Sequence, residues 1–166
     1  VYIKSDYVKD TEGSPRFVFN GDGARLRARG NIASLIYGTD DTYVNKYVST
    51  EEYCYNAMFN GCTSLTQAPE LPATTLANYC YNNMFNGCTS LATVPSNLLP
   101  ATTLAEGCYA GMFYNCTSLI TAPELPATTL ANGCYSYMFQ GCTSLNYIKC
   151  LATDISATNC TNGWVD

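Results

Sequence analysis

The sequence predicts an α/β repeat solenoid, in which short parallel strands and short helices wind into stacked units behind a β-rich N-terminal cap. Three observations predict it. One motif returns four times between residues 54 and 148. Apolar residues within it recur at i, i+4 and i+8, a helical spacing. Prolines and glycines punctuate it at fixed places. The chain divides into a β-rich cap or partial domain over 1–50, four repeats over 51–148, and a degenerate closing repeat over 149–166.

The motif is read by aligning the chain on itself. Cys54-Tyr55-Asn56-Ala57-Met58-Phe59-Asn60-Gly61-Cys62-Thr63-Ser64-Leu65 is nearly identical to the twelve residues from Cys80 to Leu91. Further copies run from Cys108 to Leu119 and from Cys134 to Leu145. The first cysteines step by 26, 28 and 26 residues, and the longer step comes from Ser96-Asn97-Leu98-Leu99. The second half of the unit is Ala68-Pro69-Glu70-Leu71-Pro72-Ala73-Thr74-Thr75-Leu76-Ala77, which returns at Ala122–Ala131. A fifth copy decays into Cys160-Thr161-Asn162-Gly163-Trp164-Val165, with Trp164 where Met84 stands. Terminal repeats deviate because they close the core against water, so Trp164 reads as a capping residue.

Leu76, Cys80 and Met84 are spaced by four, as are Tyr81 and Phe85. The spacing predicts a short helix from about Ala77 to Asn86. Gly61, Gly87, Asn115 and Gly141 would stop it, since Gly and Asn tolerate left-handed backbone. The Cys-Thr-Ser-Leu run that follows reads as a short strand, ended by Pro69, Pro95 or Pro123 because proline cannot donate into a ladder. Stacked units would form ladders of Leu65, Leu91, Leu119 and Leu145, and of Phe59, Phe85, Phe113 and Phe139.

Composition excludes several functions. Charged residues make up 13% of the chain and the net charge is −5, which argues against nucleic acid. No run approaches the roughly 18 apolar residues of a membrane span. The chain has no His, so it has no Cys/His zinc site, Ser-His-Asp triad or Cys-His dyad. No C-x-x-C pair exists to hold a zinc ion by cysteine alone. No cofactor is expected. The opening Val1-Tyr2-Ile3 reads as a strand, and with no initiator Met or signal-peptide pattern the chain reads as a mature or trimmed segment.

The first 52 residues differ in texture. They hold seven of the eight basic residues and eight of the thirteen acidic ones. Arg16-Phe17-Val18-Phe19-Asn20 leads into a Gly21-Asp22-Gly23 turn signal. Arg25, Arg27 and Arg29 would share one strand face. They read either as a patch for an anionic ligand or as a solvated face balanced by Asp6, Asp10, Asp22 and Asp40, and the second is favoured.

Ten cysteines demand an account. Cys54, Cys80, Cys108 and Cys134 form one ladder. Cys62, Cys88, Cys116 and Cys142 form another. Cysteines eight apart in a unit exceed the ~7 Å limit for a disulfide, and ladder partners have parallel Cβ vectors. Buried thiols acting as small hydrophobes are favoured. If any pair is bridged, it is Cys150 with Cys160.

Tyrosine is the candidate for ligand contact, because it joins a rigid apolar face to a polar tip. The candidates are Tyr55, Tyr79, Tyr81, Tyr109, Tyr135 and Tyr137. The competing reading packs the Tyr ladder into the stack. From Cys54 to Ile148 only Glu70, Glu106 and Glu124 are charged. Such a neutral Tyr/Asn/Thr surface suits glycan or protein. The pairs Asn78-Tyr79, Glu106-Gly107 and Asn132-Gly133 vary between units while the core positions stay fixed, which tilts the reading toward a binding face. Glu70 and Glu124 could be taken for a hydrolytic carboxylate pair. They arise by repetition, though, and nothing in the sequence raises their pKa. The Thr74-Thr75, Thr102-Thr103 and Thr128-Thr129 steps read as caps for turn backbone.

The string Met-Phe-x-Gly/Asn-Cys-Thr-Ser-Leu, followed by Ala-Pro-x-Leu-Pro-Ala-Thr-Thr-Leu-Ala, resembles the BspA-like leucine-rich repeats of Bacteroidetes surface proteins. The lead-in Gly30-Asn31-Ile32-Ala33-Ser34-Leu35-Ile36-Tyr37-Gly38 and the closing segment from Asn146 to Ile155 resemble that family too. The resemblance implies a leucine-rich-repeat-like right-handed superhelix, export to the cell surface or medium, adhesion to protein in some members, and no catalytic residues. The expectation is therefore a non-enzymatic secreted or surface module that binds protein or glycan. The alternative is a structural spacer presenting another domain.

Overall fold

A computed structural model of the chain describes residues 8–9, 15–16, 26–27 and 52–165. β1 (Val8–Lys9) pairs antiparallel with β2 (Pro15–Arg16). β3 (Leu26–Arg27) runs parallel to β4 (Leu65–Gln67), with Leu26 opposite Leu65 and Arg27 opposite Gln67. A strand ahead of the repeats is thus bonded to the first unit. The side-chain face expected for Arg25, Arg27 and Arg29 lies outside the described residues. So do the Gly21-Asp22-Gly23 turn and the lead-in over 30–38.

The helix expected from Ala77 to Asn86 does not form, and no helix occurs among the described residues. The segment is a chain of turns with a period of four. Tyr79, Asn83 and Gly87 are left-handed, with φ of 55°, 53° and 71°. The amides of Cys80, Asn82, Met84, Asn86 and Cys88 each donate to the carbonyl three residues back, at 3.0–3.4 Å. The alternate amides point out of the unit. Tyr79, Tyr81, Asn83, Phe85 and Gly87 donate to the carbonyls of Glu106, Cys108, Ala110, Met112 and Tyr114 in the next unit, at 2.8–3.0 Å. Every amide from 79 to 88 is therefore paired, as a mostly buried backbone requires.

A helix could not have served this sequence. It turns about 100° per residue, so side chains four apart drift by about 40°, and Leu76 and Cys88 would differ by about 120°. A four-residue turn has no drift. It sends two side chains inward and the next two outward. Cys80, Tyr81, Met84, Phe85 and Cys88 are all at most 1% exposed.

Equivalent side chains stack from unit to unit. Tyr55, Tyr81, Tyr109 and Tyr135 have successive ring centroids 5.3, 5.9 and 6.2 Å apart. Phe59, Phe85, Phe113 and Phe139 follow at 5.6, 5.6 and 5.8 Å. Trp164 ends both columns, 6.2 Å from Tyr135 and 6.3 Å from Phe139. In the longer unit the added residues enter the core, where Leu98 and Leu99 are buried.

The second half of the unit is extended, with little regular strand. After β4, parallel pairing is reduced to single bridges, Thr121 with Tyr147, Leu125 with Cys150 and Thr129 with Asp154. The threonine steps are exposed. In the last of them the Thr128 carbonyl accepts from the amides of Thr153 and Asp154, at 2.9 and 3.0 Å.

No two of the ten cysteines are joined in a disulfide, and that includes Cys150 and Cys160. One of the two ladders is bonded back to the preceding units. The thiols of Cys88, Cys116 and Cys142 donate to the carbonyls of Phe59, Phe85 and Phe113 in the preceding units, at 3.0–3.1 Å. Each carbonyl already accepts an amide from its own unit, so the thiol serves its second lone pair. A small buried donor is needed there, and cysteine supplies it with little polar cost.

Candidate functional site: a groove on the turn face

The outward pairs of the four-residue turns build one face of the stack. Their left-handed members align in three columns. The first holds Tyr53, Tyr79, Gly107, Gly133 and Asn159, the second Ala57, Asn83, Gly111, Tyr137 and Gly163, and the third Gly61, Gly87, Asn115 and Gly141. Glycine and asparagine accept this conformation at small cost. Tyrosine does not, and a residue forced into a sparse region costs roughly 1–3 kcal/mol.

A side chain in these columns leans over its counterpart in the next unit. A Cβ added at Gly107 would collide with the Tyr79 ring, and one at Gly163 with the Tyr137 ring. Likewise Asn83 lies over Gly111, and Asn115 over Gly141. Gly133 differs, because Gly107 has no side chain to cover it and nothing lies within 4 Å of where its Cβ would be.

The result is a groove of about 650 Å³ across units two to five. Its floor is glycine and its walls include Tyr79, Tyr114, Tyr137, Asn83, Asn132 and Asn159. Tyr79 is fixed on three sides. Its ring stacks on Tyr53 at 5.0 Å, its other face rests on Gly107, and its hydroxyl donates to Glu106 Oε1 at 2.6 Å. That bond to a carboxylate raises the Tyr79 phenol pKa above its ordinary value. Tyr137 is 45% exposed, and its hydroxyl oxygen accepts from Asn162 Nδ2 at 2.8 Å. Asn86 Nδ2 donates to Asn83 Oδ1 at 3.1 Å, and Asn83 Nδ2 to Asn82 Oδ1 at 2.6 Å.

Of the six tyrosines singled out from sequence, only Tyr79 and Tyr137 line this groove. Tyr55, Tyr81, Tyr109 and Tyr135 are at most 1% exposed, so as ligand contacts they are corrected: they are core. Each stands beside a cysteine in the inward pair of a turn. The varying pairs fare differently, since Tyr79, Glu106, Gly107, Asn132 and Gly133 all border the groove. Sequence reasoning passed over Asn83 and Asn159 as wall residues. The available signal was the rhythm of Gly, Asn and Tyr at every fourth position.

Two of the repeat carboxylates are already engaged. Glu124 Oε2 is bonded to Lys149 Nζ at 2.8 Å, and Glu106 holds Tyr79. No cluster of three potential metal ligands occurs among the described residues. No helix among them is long and apolar enough to cross a membrane. A second hollow, of about 310 Å³, lies at the closing end beside Phe139, Cys142, Leu145 and Val165. Compared with known proteins, the chain matches no family model, no curated protein and no solved structure.

Proposed function

We propose that the chain is a repeat solenoid of the BspA-like leucine-rich class, with turns where helices were expected, and that it is a non-enzymatic binding or adhesion module. It acts at the cell surface or after secretion, and it recognises protein or glycan through the groove on its turn face. One observation carries the reading. Tyr79 and Tyr137 occupy left-handed positions where the other units place Gly, Asn or Ala, apart from Tyr53, on which Tyr79 stacks, and both wall the groove. A residue kept in a costly conformation points to a role beyond stacking. The repeat motif's resemblance supports surface display. The unequal columns also speak against a plain spacer, which needs no hollow on one face.

The test is a screen of immobilised glycans and extracellular-matrix proteins with the chain and with Tyr137→Ala. Alanine already occupies the equivalent position at Ala57, with φ of 53°, so the variant should fold. A ligand of either class whose signal falls in the variant is the expected result. A correctly folded chain with no ligand in either class would sink the proposal.

A further inference from the structure

The groove's chemistry narrows its ligand. We infer that it takes a short neutral oligosaccharide, with the open face of Tyr137 as the platform for one sugar ring; this rests on reading the groove as the binding face.

Four observations converge. First, charge is almost absent. No Lys or Arg stands between Cys54 and Ile148, and among the described residues none lines the groove to meet an anionic ligand. The groove's carboxylate, on Glu106, is already engaged by Tyr79. Second, the backbone is spent. Gly107, Gly111 and Gly133 donate to the carbonyls of Asn132, Ser136 and Thr158, at 2.8–2.9 Å. An extended peptide binds by adding to an unpaired edge or by sinking apolar anchors into pockets. This floor offers no edge, and among the wall side chains the one aliphatic is Ala110.

Third, what remains to make contact is amide and hydroxyl. Each Asn presents donors and an acceptor on one plane, which matches the paired donor and acceptor of adjacent sugar hydroxyls. Asn86, Asn83 and Asn82 are held in a bonded chain before any ligand arrives, so little ordering cost falls on binding. Fourth, Tyr137 has a usable face. One side of its ring rests on Gly163. The residue one unit earlier in its column is Gly111, which has no side chain to cover the other side. An aromatic face is electronegative and attracts the C–H edges of a sugar ring. The volume also suits a small ligand, since such sites run from about 300 to 1,000 Å³, whereas a protein partner would need roughly 800 Å² of contact per side.

The experiment titrates the chain calorimetrically with neutral gluco-, manno-, galacto-, xylo- and N-acetylglucosamine oligosaccharides, and with sulfated counterparts. Two variants accompany it. Tyr137→Ala removes the platform. Gly133→Asn fills the open floor with the residue already present at Asn159, where φ is 53°. Thermal melts verify that both fold. The expected result is binding of at least one neutral series, weakened roughly tenfold or more in both variants. Binding of sulfated sugars alone overturns the inference, as does a neutral sugar that both variants bind unchanged. If no neutral sugar binds while a matrix protein binds and is lost in Tyr137→Ala, this inference falls and the proposed function stands. If nothing of either class binds, both fall.

Discussion

Gly107 and Gly133 form a natural pair for measuring what the turn face costs. They share a column and nearly the same backbone, with φ of 55° and 56°. Alanine at Gly133 meets open space and carries only the left-handed penalty, about 1–2 kcal/mol. Alanine at Gly107 carries that penalty and also displaces the Tyr79 ring. Tyr79 cannot step aside easily, because Tyr53 and Glu106 hold it. Overpacking of this kind adds roughly 1–3 kcal/mol. Chemical denaturation should therefore rank Gly107→Ala well below Gly133→Ala in stability, and the double change Tyr79→Gly/Gly107→Ala should recover most of the excess. Equal losses in the two single variants would mean that the leaning side chains do not set which residues fit the next unit.

At the scale of the element, the closing repeat holds the last full unit. Gly133, Tyr135, Tyr137 and Phe139 donate to the carbonyls of Thr158, Cys160, Asn162 and Trp164, at 2.8–3.1 Å. Trp164 also covers two aromatic columns. In a stack governed by nearest-neighbour contacts, damage at one end stays local. Trp164→Ala should cost about 3 kcal/mol and raise amide exchange at those four positions. The amides of Tyr79 to Gly87 should hold their protection. Trp164→Phe should cost far less, because it keeps a ring and removes a buried N–H with no partner among the described residues. Uniform exchange throughout the repeats would show a single cooperative block instead. The place of Trp164 was legible in the sequence because register alone fixes it. The same holds for Met84, Phe85 and Leu91, buried in every reading of the motif. The turn was not legible in that way. Cys80 and Met84 are four apart, and over one step a helix and a four-residue turn place them alike. Only the longer run from Leu76 to Cys88, and the glycines at Gly107 and Gly111 inside the expected helix, separate the two. The groove was legible only in part, through the varying pairs at Tyr79, Glu106-Gly107 and Asn132-Gly133 that border it. Without the rhythm of four, Tyr79 and Tyr81 are indistinguishable by composition, yet one is wall and the other core.

For the molecule as a whole, the stacked core titrates from one side. With no His, little changes charge between about pH 5 and 8. Among the described residues, the buried groups that can ionise are thiols and phenols. Burial pushes Cys134 and Cys142 up to about 11 and Cys108 to about 12, from an ordinary 9.0. Cys88, Cys116, Tyr81 and Tyr109 are raised by the same desolvation. The folded state thus keeps protons that the unfolded chain releases once the pH passes the ordinary thiol value. Stability conferred by a raised pKa is complete below that value and is lost as pH rises through the folded one. Each such thiol removes up to about 1.4 kcal/mol per pH unit across the window. Denaturation midpoints should therefore stay level from about pH 6 to about pH 8, then fall steeply toward about pH 10. Reductant should shift none of them, because no disulfide joins the cysteines. A profile that stays level through about pH 10 would mean that the thiols reach water in the folded state, and the cysteine ladders would then have to lie outside the dry core.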